Sequence, residues 1–218
     1  FNQFIMKNVF CKYTWSKIII LQIIFLFQLF FLVSCNHSNS IKDRVIILQP
    51  FSDIETKHVE MLFSSIKKNY PKTFLRPPTQ IPESCLNDNG YRYRADKLLK
   101  FLQQKNHTDT TVIALTSKDI STSKGNIKDW GIMGLAYCPG NVCVVSTFRL
   151  SKKNIDDQFY KVAIHEIGHS FGLKHCSKNL CFMRDAKGSN PLNEENDFCR
   201  TCKTFLINKG MKLSSFQN

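Results

Sequence analysis

One run of eleven residues, His165-Glu166-Ile167-Gly168-His169-Ser170-Phe171-Gly172-Leu173-Lys174-His175, constrains this chain more than any other. It has the form HExxHxxGxxH. On a helix, positions i and i+4 share a face about one turn apart, so His165 and His169 can offer two imidazoles to one metal ion. Glu166 sits beside the first of them and off that line, where a carboxylate can take a proton from water held by the metal. Gly172 is expected to stop the helix. It can turn left-handed without a Cβ penalty and send the chain back, which delivers His175 as a third ligand. Three neutral imidazoles with a fourth position open is the layout of a catalytic zinc site rather than a closed structural one. HExxH by itself also turns up as plain helix surface. The full pattern, in a chain with only six His, points to metal binding.

The residues that follow narrow the pattern. Cys176 comes directly after His175, then Cys181, Met183 and the pair Cys199-Arg200-Thr201-Cys202. This succession, HExxHxxGxxHC, CxM and CxxC, resembles the archaemetzincins of the metzincin clan of zinc peptidases. The resemblance covers most of residues 41–209 and is specific at the metal motifs and weak elsewhere. It implies an α/β (α+β) domain of the zincin type, with a twisted mixed β-sheet, an active-site helix and a C-terminal part held by four Cys. It also implies two zinc ions per chain: a catalytic one on His165, His169 and His175, and a structural one on Cys176, Cys181, Cys199 and Cys202. Glu166 would be the general base, and Met183 would form the Met-turn beneath the catalytic metal. The implied substrate is a peptide or protein, laid along a sheet edge formed by residues 132–136, although an ordinary buried hairpin would show the same pattern. One departure stands out. Several metzincins carry Tyr two residues after the Met, where it helps polarise the scissile carbonyl; here Asp185 stands there, so that task falls to zinc or to another group.

The cysteines admit a rival arrangement. Nine are present, and Cys138 and Cys143 flank a turn where they could form a disulfide, leaving Cys85 odd. An exported domain meets oxidants, which favours disulfides among the four clustered Cys. Bound zinc shields thiolates, and CxxxxC followed by CxxC offers two ligand pairs from separate loops, so zinc is preferred.

Export is the expectation from the start of the chain. Lys7, Lys12 and Lys17 form a basic lead, and residues 18–33 are almost wholly apolar. The run ends in Leu32-Val33-Ser34-Cys35, which resembles a bacterial lipobox. That resemblance implies a signal over residues 1–34, lipidation of Cys35 and a polar tether to residue 41. An uncleaved anchor and an ordinary secretory signal are the alternatives. Residues 42–218 then form one catalytic domain facing outward from a membrane, on the periplasmic or outer surface. A net charge of +13 favours anionic surfaces such as headgroups, or is simply a soluble basic surface, and no nucleic-acid module is present. The oligomeric state is not legible.

Within the domain, Val45-Ile46-Ile47-Leu48 and Thr111-Val112-Ile113-Ala114-Leu115 read as buried strands, and residues 73–75 as a short one. Ser52 with Glu55 reads as a capping box for a helix with Val59, Leu62, Phe63 and Ile66 on its stripe, and His58 lies off that stripe in solvent. Residues 91–104 read as a second helix, 117–128 as a polar surface loop, 131–137 and 142–148 as two strands, 159–171 as the active-site helix, and the region of Phe198 to Leu206 as a last helix. Two other functions fit the residues: a non-catalytic zinc-stabilised binding module on the membrane surface, and a zinc hydrolase of a non-peptide amide.

Overall fold

Two buried strand patterns, two amphipathic stripes and one metal helix have to share a core. A computed structural model of the chain describes residues 44–103 and 109–211. The expected signal, Cys35 and the tether lie outside the described residues. In chain order the elements are β1 (Val45–Pro50), α1 (Thr56–Asn69), β2 (Thr73–Leu75), β3 (Tyr93–Arg94), α2 (Ala95–Gln103), β4 (Thr110–Thr116), β5 (Ile120–Lys124), β6 (Ile127–Ile132), β7 (Gly134–Ala136), β8 (Val142–Ser146), α3 (Ile155–Ser170) and α4 (Arg200–Asn208).

The main sheet has the order β2-β1-β4-β8-β7. β1 pairs in parallel with β2 and β4, and β4 with β8, whereas β7 runs antiparallel on the outer side of β8. Parallel strands are covered on both faces, which is why β4 and β8 read as continuous apolar runs instead of alternating ones. The period of two then sorts their side chains. Ile113, Leu115, Cys143 and Val145 pack with α1 and α3 on one face, through Val59, Leu62, Ile66, Phe159, Ala163 and Ile167. Val112, Ala114, Val142 and Val144 pack on the other face against Ala95, Leu98, Leu99 and Leu102 of α2. The result is a three-layer mixed α/β sandwich with α3 lying under the antiparallel edge. Each fully buried Leu or Ile in these layers contributes roughly 1.5–3 kcal/mol.

Four local expectations are corrected. Ser52 is not the helix cap: α1 starts at Thr56 behind Glu55, with no side-chain cap. Asp53 instead accepts hydrogen bonds from the Thr116 hydroxyl and the Ser117 backbone N–H, both at 2.6 Å, and ties the β1–α1 loop to the end of β4. His58 is buried, with Nδ1 2.6 Å from Asp156 Oδ1 at the start of α3, because a second helix covers the flank that α1 would otherwise give to water. Residues 117–128 are not a loop: β5 and β6 form a hairpin around Gly125 (φ 55°), joined in parallel by β3. Its strands are largely polar in sequence, so an apolar-run criterion passes over it. Finally, 131–137 is two strands, not one. The chain leaves the small sheet after Ile132 and joins the main sheet at Gly134, with the Met133 carbonyl accepting from the Ser146 N–H at 2.8 Å.

Candidate metal centre and active-site cleft

The metal motif begins on a helix that meets its end charges. Asp156 and Asp157 lie in the first turn of α3, where the helix dipole favours anions. The helix ends at Ser170, and Gly172 takes φ 103°. That turn sets two things at once. It brings the Leu173 carbonyl back to 2.7 Å from His169 Nδ1, and it returns His175 toward the helix. His165 Nδ1 lies 2.6 Å from the Phe182 carbonyl, so the segment before Met183 orients that ring. A nitrogen facing a carbonyl must carry the proton, which leaves the Nε2 lone pair of both helix imidazoles free for a metal.

The three rings converge. The possible ligand atoms of His165, His169 and His175 all lie within 4.8 Å of one another, and His169 Nε2 is 3.3 Å from His175 Nε2. A tetrahedral ion with bonds of about 2.0–2.1 Å to nitrogen has an edge of roughly 3.3–3.4 Å, so this pair already has the spacing zinc requires. Burial pushes His165 down to about 3, helped by the neighbouring imidazoles and against its bond to the Phe182 carbonyl; burial also lowers His169. Both rings are therefore neutral near pH 7, the state a metal ligand needs. His175 is exposed, and Asp185 Oδ2 faces its Nδ1 at 3.8 Å.

Glu166 is buried, and burial alone pushes its carboxyl up to about 8. It presses against β7 so closely that a Cβ at Gly134 would stand 2.6 Å from Glu166 Oε1 and 2.8 Å from its Cγ. A second glycine makes room below the motif: a Cβ on Gly168 would come within 2.5 Å of Met183 Sδ. Met183 is fully buried, and its thioether packs on the helix at Gly168, the residue before His169. Sequence reasoning missed the roles of both glycines. Gly168 lies inside the motif as an unconstrained position, and no local signal marks Gly134.

Four sulfurs gather next door. Cys176 follows His175 in the chain, and its N–H donates to the Met183 carbonyl at 2.7 Å. The Sγ atoms of Cys176, Cys181, Cys199 and Cys202 lie within 4.8 Å of one another, with Cys176 and Cys199 at 3.7 Å. A disulfide would need about 2.05 Å, whereas the edge of a tetrahedral zinc–thiolate site is roughly 3.8 Å. The thiols are free and suit a metal. Cys199 stands at the position before α4; burial opposes its ionisation, but the Cys202 backbone N–H and neighbouring thiols outweigh it and bring Cys199 down to about 7. The disulfide allowed for Cys138 and Cys143 is absent: both are free thiols, Cys143 is inside the sheet, and Cys138 Sγ donates to the Leu173 carbonyl at 3.2 Å.

A cleft of about 560 Å³ opens over the three imidazoles. One wall is the sheet edge, Gly134, Leu135 and Ala136; another is the segment after Met183, including Asn190, Leu192 and Glu195. Among the expected edge residues 132–136, Ile132 belongs instead to the small sheet.

Known proteins resemble this chain over most of its length. The model of peptidase family M54 matches residues 30–208. The archaemetzincin of Archaeoglobus fulgidus is 32% identical over 162 residues, covering 72% of this chain and 95% of the relative. That of Halobacterium salinarum is 27% identical over 168 residues, covering 71% and 94%. The crystal structure of the Archaeoglobus fulgidus archaemetzincin complexed with malonate superposes with a TM-score of 0.64 at 29% identity, covering 73% of this chain and 98% of that one. The archaemetzincin structure from Methanopyrus kandleri, at 23% identity, shares the fold with a TM-score of 0.65 over 80% of this chain and 98% of its own. With a family match across most of its length and the fold of these relatives, the chain belongs to peptidase family M54 and is a zinc metallopeptidase of the archaemetzincin kind.

Proposed function

We propose that this metallopeptidase holds two zinc ions, one on His165, His169 and His175 and one on Cys176, Cys181, Cys199 and Cys202, and cuts peptide bonds with Glu166 as general base. The observation that carries the proposal is the convergence of three imidazoles, two with Nδ1 fixed on a carbonyl, beside a buried carboxyl. Zinc, when bound there, supplies Lewis acidity that lowers the pKa of water toward about 7 and polarises the scissile carbonyl. With a cation beside it to oppose the upward push of burial, Glu166 takes a proton at its carboxylate from the attacking water and passes it to the leaving amine. The contact with Gly134 holds that carboxylate at the cleft wall. The edge strand β7 offers main-chain N–H and C=O groups to an extended substrate, which aligns the bond to be cut. Met183 supports the helix turn from below, and the thiolate group keeps the returning segment in place.

The basic lead, the apolar run and Cys35 support an exported form anchored through a lipidated Cys35, with the peptidase domain outside. Mass spectrometry of the mature N-terminus tests this directly: an unmodified Cys35, or a chain cut elsewhere, overturns it.

The enzyme proposal is tested by zinc analysis together with peptide-library cleavage. The expected stoichiometry is two zinc per chain. Glu166→Ala should keep both ions and lose at least about a hundredfold in turnover, the scale of a general base. Turnover retained in that variant would remove Glu166 from the role.

A further inference from the structure

Glu195 is a carboxyl group that neither metal site nor the general base accounts for. It is only 2% exposed, yet it belongs to the wall of the same cleft into which the three imidazoles open. Its Oε2 is buried without a hydrogen-bond partner. An unsatisfied buried acceptor costs roughly 1–3 kcal/mol, and more when charged. Two cations act on this carboxyl, and both are bound elsewhere. Arg184 reaches Glu194 at 2.5 Å, and Lys161 reaches Asp157 at 2.7 Å and the Leu192 carbonyl at 2.9 Å. Glu194 adds a second negative charge nearby, and burial brings the Glu195 carboxyl up to about 7, against the pull of those cations. The position is therefore short of a positive partner.

The surroundings say what partner would fit. Val162, one helical turn before His165, and Pro191 and Leu192 line the cleft with Glu195. Apolar walls with one acid among them match a long aliphatic stem that ends in a cation. We propose that Glu195 is a specificity-determining residue: it receives the ammonium or guanidinium of a substrate lysine or arginine whose stem packs on Val162, Pro191 and Leu192. The inference rests on the peptidase reading for its meaning, but the recognition step does not require turnover. A site with a buried acceptor left unpaired discriminates strongly against a side chain that lacks the donor.

The test uses the zinc-loaded full chain carrying Glu166→Ala, so that peptides bind without being cut. Calorimetry at pH 8 compares blocked Ala-rich peptides that differ in a single residue: lysine, arginine, norleucine or glutamine. Lysine and arginine peptides should bind about tenfold or more tightly than the norleucine peptide, the scale of a hydrogen bond to a charged group. Adding Glu195→Gln should remove that preference. Equal binding of lysine and norleucine peptides, or no binding of either, overturns the proposal, as does a preference that survives Glu195→Gln. The norleucine comparison needs no change at Glu195, so a misfolded Glu195→Gln leaves the outcome decidable. Library cleavage by the wild-type chain separates the two ideas: absence of any cutting counts against the peptidase function, and cutting without enrichment of lysine or arginine beside the cut bond counts against Glu195 alone.

Discussion

At the scale of single residues, the site depends as much on what is missing as on what is present. Glu166 occupies the space where a side chain at position 134 would begin. Gly134→Ala should therefore displace the carboxylate while leaving the three imidazoles in place. The expected result is normal zinc content with kcat lowered about a hundredfold, the penalty of an ångström-scale misplacement; zinc analysis beside single-turnover kinetics separates the two effects. The convergence of the three imidazoles was legible in the sequence, because i and i+4 on a helix cannot avoid sharing a face, and the Gly172 turn leaves His175 only one direction to take. Gly134 was not, because its requirement comes from a residue 32 positions away. Asp185 was read as the absence of a Tyr, whereas its carboxylate faces the Nδ1 side of His175, a relation that only folding creates.

At the scale of elements, α3 and its terminal turn form one device. Gly172 sits at φ 103°, where an L side chain is strained, although a Cβ there would meet only ordinary contacts with Pro139 and Phe205 at 3.6 and 3.7 Å. The cost of Gly172→Ala is thus conformational, about 1–3 kcal/mol. Both the Leu173 carbonyl and His175 hang from this turn, so zinc affinity should fall together with Tm; a lower Tm with unchanged zinc affinity would show that the turn does not set the ligands. Buried strands and helix stripes were legible element by element, since β1, β4 and α2 announce themselves as apolar runs or 3.6-residue periods. The β5–β6 hairpin was not: after Ile120 its first strand is Ser, Thr, Ser and Lys, with no apolar run or alternation, and only pairing reveals it. The capping box at Ser52 failed for a related reason, as the long-range bonds from Thr116 and Ser117 to Asp53 won over the local motif.

At the scale of the whole molecule, the C-terminal helix has little apolar surface of its own to hold it. α4 buries only Cys202 and Leu206, and a few kcal/mol of apolar burial does not offset the ordering of nine helical residues. The proposed thiolate site would supply the difference, since structural zinc contributes on the order of 10 kcal/mol. Cys202→Ser should lower the zinc count from two to one and open residues 199–211 to limited proteolysis; a protected tail with one ion lost would mean that packing alone holds it. The sequence already contained this arrangement in its CxxxxC and CxxC pairs. What it left open was whether the four sulfurs stand bonded or apart, a separation that spacing along a chain does not determine.

His175 and Cys176 are separated by a single peptide bond. An oxidant or mercurial that attacks sulfur would drag on the last imidazole through that bond and silence peptide cleavage, although no cysteine takes part in the chemistry. On the proposed ligand set, the hydrolytic half, made of nitrogen and oxygen, would be only as durable as the reduced state of its neighbour.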